Sequence, residues 1–382
     1  MRRARMAMIC AATVSSVALV ACGSTGGGTD VNTDPDRPFV LDGVTNVTQI
    51  TQLTGPDSGV NDTASVAVAG TDLGSMFNVG DTTYLVFGDT FGTRDPDAVG
   101  GQGGNWRSNA VAYTTDEDPS DGLTFDGWLL DDIGLALEVV PGEHDHNDAG
   151  GEVTKIPTYG FAVGETLYLQ YMSVRHWGEP GQWDANHAGL ARSTDGGASW
   201  ETLPAPQWPG DSNFVQVSVA EVTEDGEDFL YFWSIPSGRF GGVQLMKVPA
   251  TTEAVEDLSA YRYFAGTDDD GDPRWSESMA DAQTVLEGTI GELSVVHSPT
   301  LDRWLMTYST DGDAVLAEGI TPWGPWSEPH VLTTQAETPG LYSPYLNPRY
   351  VSDDGLTIYF TLSIWGPYNV FWYSAELVPA PA

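Results

Sequence analysis

The chain has 382 residues, enough for one large all-β domain or two ordinary ones, and sets 15 Lys and Arg against 54 Asp and Glu for a formal net charge of −39. Nucleic acid or another polyanion would be repelled by such a surface, whereas a neutral polysaccharide would not. Cys10 and Cys22 are the only cysteines, both near the start, so the body of the chain offers no disulfide, no thiolate zinc ligand and no cysteine nucleophile.

In chain order, Arg2, Arg3 and Arg5 come first, followed by an apolar, small-residue run over residues 6–21. Leu19, Val20, Ala21 and Cys22 then resemble a lipobox, the signal at which bacterial lipoproteins are cleaved and lipidated. The run is too short and too poor in Leu, Ile and Phe for a permanent spanning helix. Residues 1–21 are therefore predicted to be a lipoprotein signal peptide. Cys22 becomes the lipidation site and membrane anchor of an exported, cell-surface protein, with an ordinary cleaved signal peptide as the alternative. Residues 22–60, opening on Gly, Ser, Thr, Asp and Pro, read as a flexible tether and lead-in. Residues 61–382 read as the folded domain.

Helical periodicity is scarce beyond the leader, and short alternating strands with Gly, Pro, Asp and Asn turns dominate. One motif recurs, a turn followed by an aromatic-rich apolar strand, with key aromatics at Tyr84, Tyr168, Tyr231, Trp304 and Tyr359. Each copy follows another predicted strand, over residues 73–77, 153–162, 217–222, 293–296 and 345–351. Third strands are predicted at 108–114, 188–193 and 243–248. All-strand repeats of this size bury their faces against neighbours as the blades of a propeller, and five copies predict an all-β, five-bladed β-propeller. Ser193, Asp195, Gly197 and Trp200 fit the Asp-box S-x-D-x-G-x-x-W, a turn between outer strands of a blade, and residues 309–312 look like a degenerate second copy. The acidic run 268–272 resembles part of an EF-hand loop with the wrong spacing and no closing Glu. A structural cation such as calcium is considered there, and no cofactor is required for the chemistry below.

In a propeller the first strand of each blade lines the channel, and its start shares an end with the tail of the second strand. Aligned on the key aromatics, Asp72 and Glu292 occupy equivalent places in blades one and four, and Gln216 opens the first strand of blade three. The tails at that end bring Asp89, Arg175, His176, Arg239, Trp365, Tyr368 and Asn369. Glycoside hydrolysis needs two carboxyl groups flanking the bond, and a third carboxylate or an arginine can separate their pKa values. Asp72, Asp89 and Glu292 are accordingly the candidate catalytic residues, and Arg175, His176, Gln216, Arg239, Trp365, Tyr368 and Asn369 the candidate sugar-binding residues. The plainer alternative is that Asp72 and Asp89 cap their turns and Arg239 pairs with either. The His144 and His146 loop is a weak zinc candidate and reads as a rim loop, and no metal ligands are assigned. No G-x-S-x-G elbow is present.

Asp72 with Gly74, then Phe87, Asp89 and Phe91, then Gly238, Arg239 and Gly241, then Gly291, Glu292 and Ser294, then residues 324–327 and 365–370, resemble in order the DUF4185 family. The resemblance covers roughly residues 60 to 378. It implies a five-bladed propeller and, from the members known as endo-D-arabinanases, an endo-acting hydrolase. Its substrate would be the D-arabinan of mycobacterial-type arabinogalactan and lipoarabinomannan, a neutral polysaccharide. By analogy with furanoside-cleaving five-bladed propellers, Asp72 would be the base, Glu292 a candidate acid, and Asp89 the acid or the pKa-setting partner. Inversion is preferred because a shared channel leaves room for a water between acid and base. Residues 341–348 depart from the pattern, with Asn347 where a histidine-containing segment is expected. Two rival readings stand beside this one: a propeller that binds polysaccharide without cutting it, and a sialidase-like enzyme, disfavoured because only Arg175 and Arg239 stand near the mouth.

Overall fold

A computed structural model describes residues 28–145 and 151–381. The signal peptide, Cys22, and His146, Asn147 and Asp148 of the histidine loop lie outside the described residues. The five expected blades are present. Blade one comprises Leu73–Val79, Thr82–Phe87, Ala110–Thr114 and Gly127–Trp128; blade two, Thr154–Val163, Thr166–Trp177, Trp183–Ser193 and Glu201–Pro209. Blade three comprises Gln216–Glu224, Glu227–Ile235, Val243–Pro249 and Arg262–Thr267, and blade four Leu293–Ser298, Arg303–Thr310, Asp313–Gly319 and His330–Thr333. Blade five comprises Leu341–Val351, Thr357–Ile364 and Asn369–Pro379.

The fourth strand of blade five is Leu41–Gln52, antiparallel to Asn369–Pro379. The propeller therefore starts well before residue 61, a correction to the boundary read from sequence. Its closing strand carries none of the aromatic repeat, and only the ring closure reveals its partner. Thr29–Asp30 pairs in parallel with the end of Gln216–Glu224, so the lead-in too lies against the body. Completing the last blade with Leu41–Gln52, from near the start of the chain, removes the open edge a linear stack would leave. Glu318, fully buried, accepts from the backbone N–H groups of Val40 and Leu41 and pairs with Arg303 Nε at 2.9 Å, fixing where the strand enters.

The five first strands neighbour one another cyclically around the channel. Apolar clusters fill each gap between blades, for example Phe161, Tyr168 and Phe232 between blades two and three, and Tyr231, Trp233 and Trp304 between three and four. The repeated aromatics earn their place here, as large faces packed between sheets. The Asp-box lies between the third and fourth strands of blade two: Asp195 accepts from Ser199 N and Trp200 Nε1 donates to Gly197 O. Residues 309–312 instead form the turn between the second and third strands of blade four, so the second Asp-box is not one. The 268–272 run is a hairpin turn in which Asp268 accepts from the N–H groups of Asp270 and Asp272.

Candidate active site

The turns that join second to third strands gather at the end of the channel where the first strands begin. Asp72 stands before Leu73–Val79, and Asp89 follows Thr82–Phe87. Gly88, directly before Asp89, joins them: its N–H donates to the backbone O of Asp72 at 3.1 Å, and a Cβ on it would strike Asp72 Oδ1. The two side chains then turn to opposite neighbours. Asp72 Oδ2 accepts from the Tyr342 hydroxyl of blade five at 3.0 Å, and Tyr368 also hydrogen-bonds it. Asp89 Oδ1 accepts from Thr154 Oγ1 of blade two at 2.6 Å and from Trp106 Nε1 at 2.8 Å. Asp89 does not cap its own turn; Thr90 Oγ1 does, by donating to Gly88 O at 2.8 Å.

Burial pushes Asp72 up to about 8, and the Asp89 charge adds to the rise while the two tyrosine hydroxyls oppose it. Burial pushes Asp89 up to about 6, held lower by Thr154, Trp106 and the neighbouring His144. Two neighbouring carboxyls thus differ in their hold on a proton. Glu292 acts on Asp72 as a further, smaller negative charge, which brings all three predicted acids into one electrostatic neighbourhood. Glu292 is buried at 6 % exposure and is gripped by Arg239, whose Nη2 lies 2.8 Å from both oxygens and whose Nε lies 3.2 Å from Oε2. Arg239 therefore pairs with Glu292 and with neither aspartate.

The other expected binding residues divide. Tyr368 is buried against Asp72, edge-on to Phe91 at 5.7 Å and under the Arg94 guanidinium. Trp365, half exposed, stands edge-on to Tyr368 at 5.7 Å. Gln216 is buried and donates to Pro236 O. Arg175 is exposed beside Asp184 at 3.7 Å, and His176 lies in the same hairpin. Asn369 is spent on structure, accepting from Thr54 Oγ1 and donating to Pro367 O. Asn347 pairs with Asn78 across blades five and one.

Sequence reasoning missed Tyr342, Tyr345, Thr154, Trp106 and Glu152. Tyr342 and Tyr345 flank a register shift in Leu341–Val351, which breaks the alternation by which strands are recognised. Trp106 sits on a small added hairpin, Thr90–Thr93 with Gly104–Arg107. Glu152, buried, is taken up by Ser173 Oγ at 2.6 Å and Lys155 at 3.0 Å. His144, within hydrogen-bond reach of Glu138 at 2.9 Å, stands edge-on to Trp106 at 4.3 Å. Backbone strain marks the same place: Leu73, Arg239, Ser343 and Tyr368 have left-handed φ of 66°, 56°, 57° and 55°. Non-glycine residues hold such angles where the surroundings over-determine them, commonly at functional sites.

A family model described as a domain of unknown function, DUF4185, matches residues 58–374. The chain belongs to the DUF4185 family. Among relatives of this DUF4185 protein are two fungal proteins, each 28% identical to it. Notoamide biosynthesis cluster protein J′ of Aspergillus versicolor aligns over 312 residues, 78% of this chain and 81% of the relative. Protein J of an Aspergillus strain aligns over 317 residues, 78% and 80%. Among solved structures, a candidate hydrolase from Bacteroides ovatus superposes with a TM-score of 0.55 at 13% identity, over 81% of this chain and 86% of that one. That likeness is one of fold.

Proposed function

We propose that this DUF4185 protein is a glycoside hydrolase that cuts within D-arabinofuranosyl chains. The observation that carries the reading is the Asp72–Asp89 pair, one part-buried and one buried carboxyl at one channel mouth whose environments set their pKa values apart. Unequal carboxyls are what acid and base catalysis of glycoside cleavage requires. At neutral pH Asp72, at about 8, keeps its proton and protonates the leaving oxygen, while Asp89, at about 6, has lost its own and activates water. This reverses the role that analogy suggests for Asp72. Glu292, with both oxygens on the Arg239 fork, serves as a fixed negative charge and sugar-hydroxyl acceptor rather than as the acid. Asp72 is drawn towards blade five and Asp89 towards blade two, which supports room for a water between them and hence inversion. The reaction so written uses water and side-chain carboxyls alone. The arabinan specificity, the export and the anchor at Cys22 belong to the same proposal and rest on the family's endo-D-arabinanases and on the leader. The paired state of Arg175 and Arg239 weighs against a sialidase-like reading.

The experiment is incubation of the purified domain, wild type and Asp72→Asn, with D-arabinan, followed by chromatography and NMR of the new reducing ends. Oligosaccharides from the wild type alone, released first as the inverted anomer, support the proposal. Tight binding with no products from either protein turns the reading to a polysaccharide-binding propeller.

A further inference from the structure

Hairpin tips of blades two, three and four enclose a cleft of about 400 Å³ at the same end of the channel, within the size range of ligand pockets. Gly181 and Gln182 of blade two, Arg239 and Phe240 of blade three, Asp311 of blade four and Gln335 of the loop into blade five line it. None of the three acids lines the cleft; Arg239 connects it to Glu292. Nε and Nη2 of that side chain hold Glu292. Nη1 lies on the Gly181 side, 2.8 Å from where a Cβ on Gly181 would stand. Gly291, directly before Glu292, is as close on the other side, its Cβ position 2.7 Å from Arg239 Nε. Arg239 also lies over the Trp183 ring at 5.7 Å and keeps its left-handed backbone. A residue pinned by two close backbone approaches, an indole and an ion pair has little freedom to move unless what it touches moves as well. Beside it Phe240 is 53% exposed, its ring laid across Gly238.

We propose that this cleft is a second sugar subsite, taking the part of a glycan chain that extends past the carboxylate pocket, with Phe240 as its stacking face and Arg239 Nη1 as a donor. The ligand class rests on the glycosidase reading above. A sugar ring offers a C–H face and a rim of hydroxyls, which an exposed phenyl ring beside Gln182, Asp311 and Arg239 matches. A neutral ring fits better than an anionic one, because Asp311 stands on the wall of a strongly acidic protein. Because one guanidinium serves both places, a ring in the cleft bears on the group that positions Glu292. Chain length then affects turnover as well as affinity, remote binding energy being spent at the reacting centre.

The test uses the Asp72→Asn protein, in which turnover is stopped, and calorimetric titration with linear D-arabino-oligosaccharides from the disaccharide upward. Affinity is expected to rise with length until the cleft is filled. Phe240→Ala should cut the gain from shortest to longest by about tenfold, and Phe240→Trp should restore it. A thermal melt of each variant reports that it is folded. If folded Phe240→Ala keeps the full gain with length, the subsite is overturned while sugar binding stands. If neither binding nor cleavage of any arabinan occurs, the glycosidase reading falls and the subsite with it.

Discussion

If the proposed hydrolase reading holds, replacing Tyr342 by Phe should raise cleavage at alkaline pH. In the proposed mechanism activity needs Asp89 ionised and Asp72 protonated, so kcat/KM is bell-shaped, with limbs near about 6 and about 8. The Tyr342 hydroxyl donates to Asp72 Oδ2 at 3.0 Å and so lowers the Asp72 pKa. Its removal raises that pKa. A hydrogen bond to a charged group contributes roughly 1.5–3 kcal/mol, or about 1–2 pH units at about 1.36 kcal/mol per unit. The lower figure applies, because 3.0 Å is long for O–H···O and Tyr368 remains in place. The alkaline limb should therefore move from about 8 to ~9. The acid limb, set by Asp89 with Thr154 and Trp106, should stay. At pH ~9 the protonated fraction of Asp72 rises from about a tenth to about a half, a gain of about fivefold over wild type. The assay is reducing-end release from D-arabinan across pH at limiting substrate. An alkaline limb that stays put or moves down would sink the assignment of Asp72 as the proton donor.

Asp72→Asn should abolish cleavage yet stabilise the fold at neutral pH. A carboxyl raised to about 8 in the folded protein favours folding while protonated and loses that contribution as pH climbs from about 4 to about 8. Asn does not titrate, so urea unfolding should show a gain of about 2–4 kcal/mol at pH 7 that disappears near pH 4. Arg239→Met leaves Glu292 buried without its partner and should cost about 3–5 kcal/mol. Adding Glu292→Gln should recover part of that loss in the same urea titration. Deleting the chain through residue 52 removes the closing strand of blade five and takes from the buried Glu318 carboxylate the N–H groups of Val40 and Leu41, leaving it Arg303 alone. Near-UV circular dichroism should then show no cooperative melt.

The blades were legible because their second strands repeat one pattern: Tyr84, Tyr168, Tyr231, Trp304 and Tyr359 all fall in second strands, as expected. The closing strand was not, because strand pairing across more than 300 residues leaves no local trace in Leu41–Gln52. At the mouth, alignment on the aromatics brought Asp72, Asp89 and Glu292 to one end of the channel. It could not reach the groups that tune them. Tyr342 hides in a strand with irregular register, Trp106 in a Gly-rich insertion within blade one, and Thr154 among ordinary strand hydroxyls. Each became visible only through what it touches. Asn369 errs the other way: its position at the mouth end was right, but its amide serves the ring closure at Thr54.

The position of one arginine separates the two halves of the mouth. Blades five, one and two surround the aspartates with neutral donors, the hydroxyls of Tyr342, Tyr368 and Thr154 and the indole of Trp106. Blades three and four place a full ion pair, Arg239 with Glu292, on the other side. Had Arg239 paired with Asp72, which the sequence left open, a guanidinium at bonding distance would have favoured the carboxylate and pulled its pKa down rather than up. No proton would then remain on Asp72 near pH 7. Neutral donors stabilise the charged form less than a guanidinium does, and burial outweighs them. That balance leaves Asp72 protonated and Asp89 largely ionised, although burial raises both and only Gly88 links Asp89 to the Asp72 backbone.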